Sequence, residues 1–197
     1  MMPENYKTND PIKSLVFLRE ICFFSTTLNK DIRGEFTRIF DFPKLKKELN
    51  IDFSPRQISY SKNPIRGTRR GLHVRTSVPL ESKLVRPISG SIFDVLLDCR
   101  KDSETFGVWV GFELDSQLGQ GVWIPGGVAH GIQTLEDLTY VAYAMNVEFD
   151  SSLDVAINST DEYLGIQWPA TTKLLMSDKD LNALSWVDFL GIKLLMN

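Results

Sequence analysis

The chain has 197 residues, 43% of them hydrophobic and 24% charged, with a formal net charge of -3 at pH 7. That length predicts one domain over residues 1–197 whose core needs neither disulfides nor a structural metal, and the slight acidity argues against general affinity for nucleic acid or an anionic membrane surface. Residues 1–13 are polar and no stretch reaches the roughly 18 apolar residues of a membrane span, so a cytoplasmic protein is expected.

In chain order, short β-like runs fall at Ser14 to Phe24 and Phe36 to Phe40, and Phe42 to Leu49 reads as two helical turns after Asp41. Further β-like runs follow at Gln57 to Ser61, Leu72 to Ser77 and Lys83 to Ile88. Ser91 to Asp98 and Gly107 to Asp115 each place apolar groups on alternate residues, on either side of the turn-forming Lys101 to Thr105, which predicts a β-hairpin. Gly121 to Ile124 and Leu138 to Asn146 complete the strand candidates. The tail from Asp178 to Leu195 has helical spacing at Leu181, Leu184, Trp186, Phe189 and Leu190. Many short strands joined by Gly, Pro, Asn or Asp indicate a mainly β sandwich or barrel with a few short helices. Cys22 and Cys99, far apart in sequence, are expected to be free thiols.

From Pro55 to Leu80 the chain carries Arg56, Lys62, Arg66, Arg69, Arg70 and Arg75 with no acidic residue. Such a run is either a solvated loop or a place where something anionic binds, and arginine forks suit phosphate oxygens. The only two histidines lie in Arg70-Gly71-Leu72-His73 and in Trp123-Ile124-Pro125-Gly126-Gly127-Val128-Ala129-His130-Gly131. Two histidines beside glycine-rich turns point to proton chemistry by at least one of them, the alternative being hydrogen-bonded structural residues.

These two motifs do not stand alone. With Asp31-Ile32-Arg33-Gly34-Glu35-Phe36, Ser82-Lys83-Leu84-Val85-Arg86, Gly90-Ser91-Ile92-Phe93-Asp94-Val95, Asp98-Cys99-Arg100, Thr105-Phe106-Gly107, Leu164-Gly165-Ile166-Gln167-Trp168-Pro169 and Ser177-Asp178-Lys179-Asp180, they form an ordered series over about residues 14–183. The series resembles the dTDP-4-dehydrorhamnose 3,5-epimerase family. The resemblance implies a cupin-type double-sheet barrel, a homodimer, and a pocket for a nucleotide-linked 4-keto-6-deoxy sugar, with no metal or redox cofactor.

The C4 ketone of such a sugar acidifies the hydrogens on C3 and C5. Epimerisation therefore needs a base, a group to stabilise the enolate, and an acid on the opposite face. Carried over by position, the resemblance implies that His73 is the base, Asp180 the carboxylate that orients it, Lys83 the cation near the enolate oxygen, and Tyr143 the acid. It assigns substrate contacts to Arg33, Phe36, Gln57, Arg70, Arg75, His130 and Phe149.

The chain departs from the family pattern at several of these positions. Arg75 stands for the usual glutamine and Arg38 for a glutamate, the asparagine expected near Gln57 is missing, the lysine after Tyr143 is absent, and Phe149 replaces a tyrosine. Arginine only donates hydrogen bonds, so base recognition is expected to differ from that of thymidine-specific relatives. Three readings follow. The first is a cofactor-free 3- and/or 5-epimerase, the second a non-catalytic nucleotide-sugar-binding cupin. The third, a metal-dependent cupin oxygenase, is disfavoured because two histidines make a poor ligand set.

Overall fold

Strand Ser91–Asp98 shows how the alternating pattern builds the molecule. Its Ile92 and Leu96 enter one apolar cluster while Phe93, Val95 and Leu97 enter another, because successive side chains of a strand point to opposite faces. The computed structural model describes residues 6–51 and 53–192. Its elements are β1 (Tyr6–Thr8), α1 (Pro11–Glu20), β2 (Cys22–Ser25), β3 (Asn29–Asp31), β4 (Gly34–Phe36), α2 (Phe42–Leu49), β5 (Gln57–Asn63), β6 (Arg69–Arg75), β7 (Lys83–Ser89) and β8 (Ser91–Asp98). They continue with β9 (Trp109–Asp115), β10 (Gln120–Ile124), β11 (Val128–Thr134), β12 (Thr139–Met145), β13 (Asp154–Ala156), α3 (Asp178–Leu181) and α4 (Trp186–Gly191).

Two antiparallel sheets face each other. One has six strands in the order β1-β9-β8-β11-β6-β13, the other five in the order β2-β10-β7-β12-β5, and β3 pairs with β4 as a separate hairpin. Between the sheets, Ile92, Leu96, Val110, Phe112, Val128 and Ile132 of the first meet Val85, Val122, Ile124 and Val141 of the second. Segments of chain cover the outer faces. Ile157, Leu164, Trp186 and Phe189 pack on the outside of the six-stranded sheet. Leu45, with Phe40, Phe42 and Phe53, packs against Leu84 and Ala144 on the outside of the five-stranded one. This is the double-sheet barrel expected from the sequence. Cys22 and Cys99 are free thiols, and among the described residues no helix is long and apolar enough to cross a membrane.

Several local expectations are corrected. Most of Ser14 to Phe24 is helix α1, followed by β2. The Asp10 carboxylate accepts from the Ile12 and Lys13 N–H groups, Pro11 occupies the first turn, and Ser14, Phe17, Leu18 and Ile21 then fall on one buried face. Only Phe36 of the Phe36 to Phe40 run lies in a strand; beyond it, Arg86 donates to the Arg38 and Ile39 carbonyls. Gly126 and Gly127 form a turn, and a strand absent from the expected runs, β11, follows it directly and places His130 inside a sheet. The helical tail is two short helices, α3 and α4, with Leu181 and Leu190 exposed, and residues 193–195 lie outside the described residues.

Candidate active site

The site grows from the pairing of β6 with β11. His73 lies opposite His130, but the next registered pair is Arg70 with Ile132, so β6 carries one extra residue at Gly71-Leu72, a β-bulge. Gly71 has φ +96°, and a Cβ there would stand 2.5 Å from the His130 carbonyl oxygen. Only glycine lets β6 bend against β11 at this point.

Both histidines hold carboxylates. His73 Nε2 lies 2.7 Å from Asp180 Oδ1, with the Asp180 side chain buried and that of His73 31% exposed. Asp180 is fixed from behind, because Ser177 caps α3 and accepts from the Asp180 N–H. Burial by itself pushes the Asp180 carboxyl upward, but the hydrogen bond and charge of His73, the Ser177 hydroxyl and the Gly71 N–H together hold it below the usual carboxylate range. A carboxylate held anionic only accepts. A neutral His73 therefore carries its proton on Nε2 and presents the Nδ1 lone pair, for which the described residues provide no hydrogen-bond partner.

The second pair lies deeper. His130 Nε2 is 3.0 Å from Asp94 Oδ2, both side chains are almost fully buried, and Asp94 Oδ1 has no hydrogen-bond partner among the described residues. Asp94 is a site residue that the sequence reading passed over. The available signal was an aspartate at the inward position between Ile92 and Leu96 of an otherwise apolar strand.

The opposite wall comes from the five-stranded sheet. Tyr143 pairs with Ser59 on β5 and with Val85 on β7, and its ring meets that of His130 at a centroid separation of 6.3 Å. Burial pushes the Tyr143 hydroxyl up to about 12; a hydrogen bond with Ser61 opposes this, the Asp94 charge adds to it and Arg70 opposes it. Tyr143 thus keeps its proton at neutral pH. Lys83 lies two positions along the same face of β7 as Val85, is 8% exposed, and places Nζ 2.7 Å from Glu81 Oε1.

The proposed binding residues divide into two groups. Arg70 donates to Asn63 Oδ1, Arg75 Nη1 donates to the Glu148 carbonyl, and the Gln57 side-chain oxygen accepts from the Phe149 N–H. These bonds bring Arg75, Gln57 and Phe149 to the chain that leaves β12. Arg33 and Phe36 are elsewhere. They project from the exposed β3–β4 hairpin, where Arg33 pairs with Asp31 and Lys30 reaches Gln117. The chain beyond the hairpin packs on the outer face of the five-stranded sheet, away from Tyr143 and Lys83. Arg38 is also on that side, 3.8 Å from Asp41.

Among the described residues no group of three or more His, Cys, Asp or Glu side chains is arranged to hold a metal ion. The arrangement suits proton transfer instead: an imidazole backed by an anionic carboxylate on one wall, a protonated phenol on the other, and a lysine beside them.

Comparison with known proteins identifies the family. The family model for dTDP-4-dehydrorhamnose 3,5-epimerase matches residues 16–188. A Shigella flexneri dTDP-4-dehydrorhamnose 3,5-epimerase is 34% identical over 169 residues, covering 86% of this chain and 92% of the relative. The crystal structure of a Legionella pneumophila dTDP-6-deoxy-D-glucose-3,5-epimerase in complex with dTDP-4-keto-L-rhamnose superposes with a TM-score of 0.80 at 29% identity, over 94% of this chain and 95% of that one. A 3'-monoepimerase from Streptomyces bikiniensis in complex with dTDP-quinovose superposes with a TM-score of 0.79 at 26% identity, over 87% of each chain. With its cupin-type barrel and a family match spanning nearly its whole length, the chain belongs to the dTDP-4-dehydrorhamnose 3,5-epimerase family.

Proposed function

We propose that this chain is a cofactor-independent isomerase that epimerises a nucleotide-linked 4-keto-6-deoxy sugar at C3, C5 or both. The observation that carries the reading is the His73–Asp180 pair at 2.7 Å, set on a strand whose neighbour His130 meets the Tyr143 ring. His73 Nδ1 takes the proton from the carbon next to the ketone and the electron pair moves onto the C4 oxygen. Lys83 offsets the charge that develops there. Tyr143 returns a proton to the carbon from the opposite face and is itself reprotonated by solvent. His73 gives the proton it took to solvent, so that product and catalyst are both complete, and no electron has been exchanged with a cofactor.

The test is incubation with 4-keto-6-deoxyhexoses linked to dTDP, GDP, CDP and UDP in deuterated water, following label at C3 and C5. Epimerised, deuterated product from at least one of them is expected; binding without any exchange would leave a sugar-binding protein and sink the reading. Arg75 and Arg38 stand where an amide and a carboxylate are usual, so little preference for dTDP, with binding that weakens in salt, is the expected pattern.

The working unit in this reading is a homodimer. Arg33 and Phe36 are exposed on a hairpin that its own chain does not bring to the site, and the outer face of β5 leaves Ile58 and Tyr60 more than half exposed. A second copy seated on this face would cover the apolar residues and carry its hairpin to the partner's pocket. Arg33→Ala and His73→Ala are each expected to be inactive alone, yet to regain about one quarter of wild-type activity when mixed under subunit exchange, because half the dimers are hybrids with one intact site. Failure of mixing to restore activity, with exchange verified, would place Arg33 in its own chain's site.

A further inference from the structure

The Lys83 ammonium is held by a residue that no functional assignment includes. Glu81 lies two positions before Lys83, just ahead of β7, and Glu81 Oε1 is 2.7 Å from Lys83 Nζ. Neither group is on the surface: the Lys83 side chain is 10% and that of Glu81 19% exposed. An exposed pair of this kind contributes almost nothing, but one this enclosed fixes geometry, because the lysine has few other ways to satisfy its charge. Among the described residues no other side chain or carbonyl accepts from Lys83 Nζ.

The Glu81 backbone is itself clamped. Asn146, at the end of β12, accepts from the Ser82 N–H with its side-chain oxygen at 2.8 Å and donates to the Leu80 carbonyl at 3.3 Å, while its own N–H donates to the Ser82 carbonyl. The residues on both sides of Glu81 are therefore tied to the strand that carries Tyr143. Asn146 fixes the segment, the segment aims Glu81, and Glu81 aims Lys83.

We propose that Glu81 is a positioning residue for the epimerisation. It occupies one hydrogen of the Lys83 ammonium so that the others point toward the developing C4 oxyanion. This inference rests on the reading of Lys83 as the enolate-stabilising cation.

A double-mutant cycle separates the two ideas. With a dTDP-linked 4-keto-6-deoxyhexose as substrate, Lys83→Ala is expected to lower kcat by about 10²–10³-fold. Glu81→Ala is expected to lower kcat by about 10- to 100-fold, the scale of a displaced catalytic group, with KM and dTDP binding little changed. Adding Glu81→Ala to Lys83→Ala should cost nothing further, since Glu81 acts only through the amine. Losses that multiply in the double variant, or a Glu81→Ala enzyme with normal kcat, would overturn the role of Glu81 while leaving that of Lys83 standing. Near-normal turnover in Lys83→Ala would overturn both. If Glu81→Ala does not fold, Glu81→Met in the same cycle gives the same decision, because it keeps the length and removes the acceptor.

Discussion

His73→Ala is expected to lower deuterium uptake at C3 and C5, and epimerisation with it, by about 10²–10⁴-fold, the usual contribution of a positioned acid–base group. The size of the loss follows from the surroundings of the ring. Asp180 is buried and held anionic, so it fixes the Nε2–H tautomer and stabilises the imidazolium formed when Nδ1 takes the substrate proton. No other imidazole can replace it, because His130 is occupied by Asp94 and almost fully buried. The dTDP affinity and the circular dichroism spectrum should change little, since the His73 side chain is partly exposed and outside the main apolar clusters. Exchange near the wild-type rate in this variant would end the mechanism.

Much of this architecture was legible because alternation and turn chemistry agree. The β8–β9 hairpin and β12 have apolar residues at every second position and polar turns at their ends, and they fold where the sequence places them. Strand β11 was not legible. Its Ala129 and Gly131 have little intrinsic strand preference, the glycine turn at Gly126-Gly127 directly precedes it, and β11 is a strand because β8 and β6 pair with it on both sides. Helix α1 was missed for the opposite reason. Val16, Phe17, Leu18 and Ile21 look like strand formers, and the deciding signal is the Asp10-Pro11 start of a helix, which puts Phe17, Leu18 and Ile21 on one buried face and leaves Val16 exposed.

The site divides in the same way. The family resemblance points by position to His73, Asp180, Lys83 and Tyr143, and the barrel places His73 against Asp180, with Tyr143 on the facing sheet. Glu81 could not be chosen from sequence, because an acidic residue beside a strand is a solvated charge on one face and a buried partner on the other. The face is decided by the register of neighbouring strands, a non-local property. The location of Arg33 and Phe36 is non-local too, since it depends on which side of the five-stranded sheet the chain crosses after β4.

Tyr143→Phe is expected to separate exchange from inversion. Phenylalanine keeps the ring that meets His130 and removes only the hydroxyl, so the wall of the pocket stays in place while the proton donor is lost. His73 can still take a proton and, being 31% exposed, trade it with deuterated solvent and return a deuteron to the face it came from. Label should therefore continue to enter C3 or C5 with the starting configuration, while inversion falls by about 10²–10⁴-fold. In the wild-type enzyme the two rates should run together at any pH near neutrality, because burial and the Asp94 charge raise the phenol to about 12 against the pull of Ser61 and Arg70, leaving it protonated. The measurement is the ratio of deuterium uptake to epimer formation, followed by nuclear magnetic resonance in one tube. A rise in that ratio assigns Tyr143 to the opposite face; an equal fall in both rates would place it in the same step as His73 and remove it as the acid.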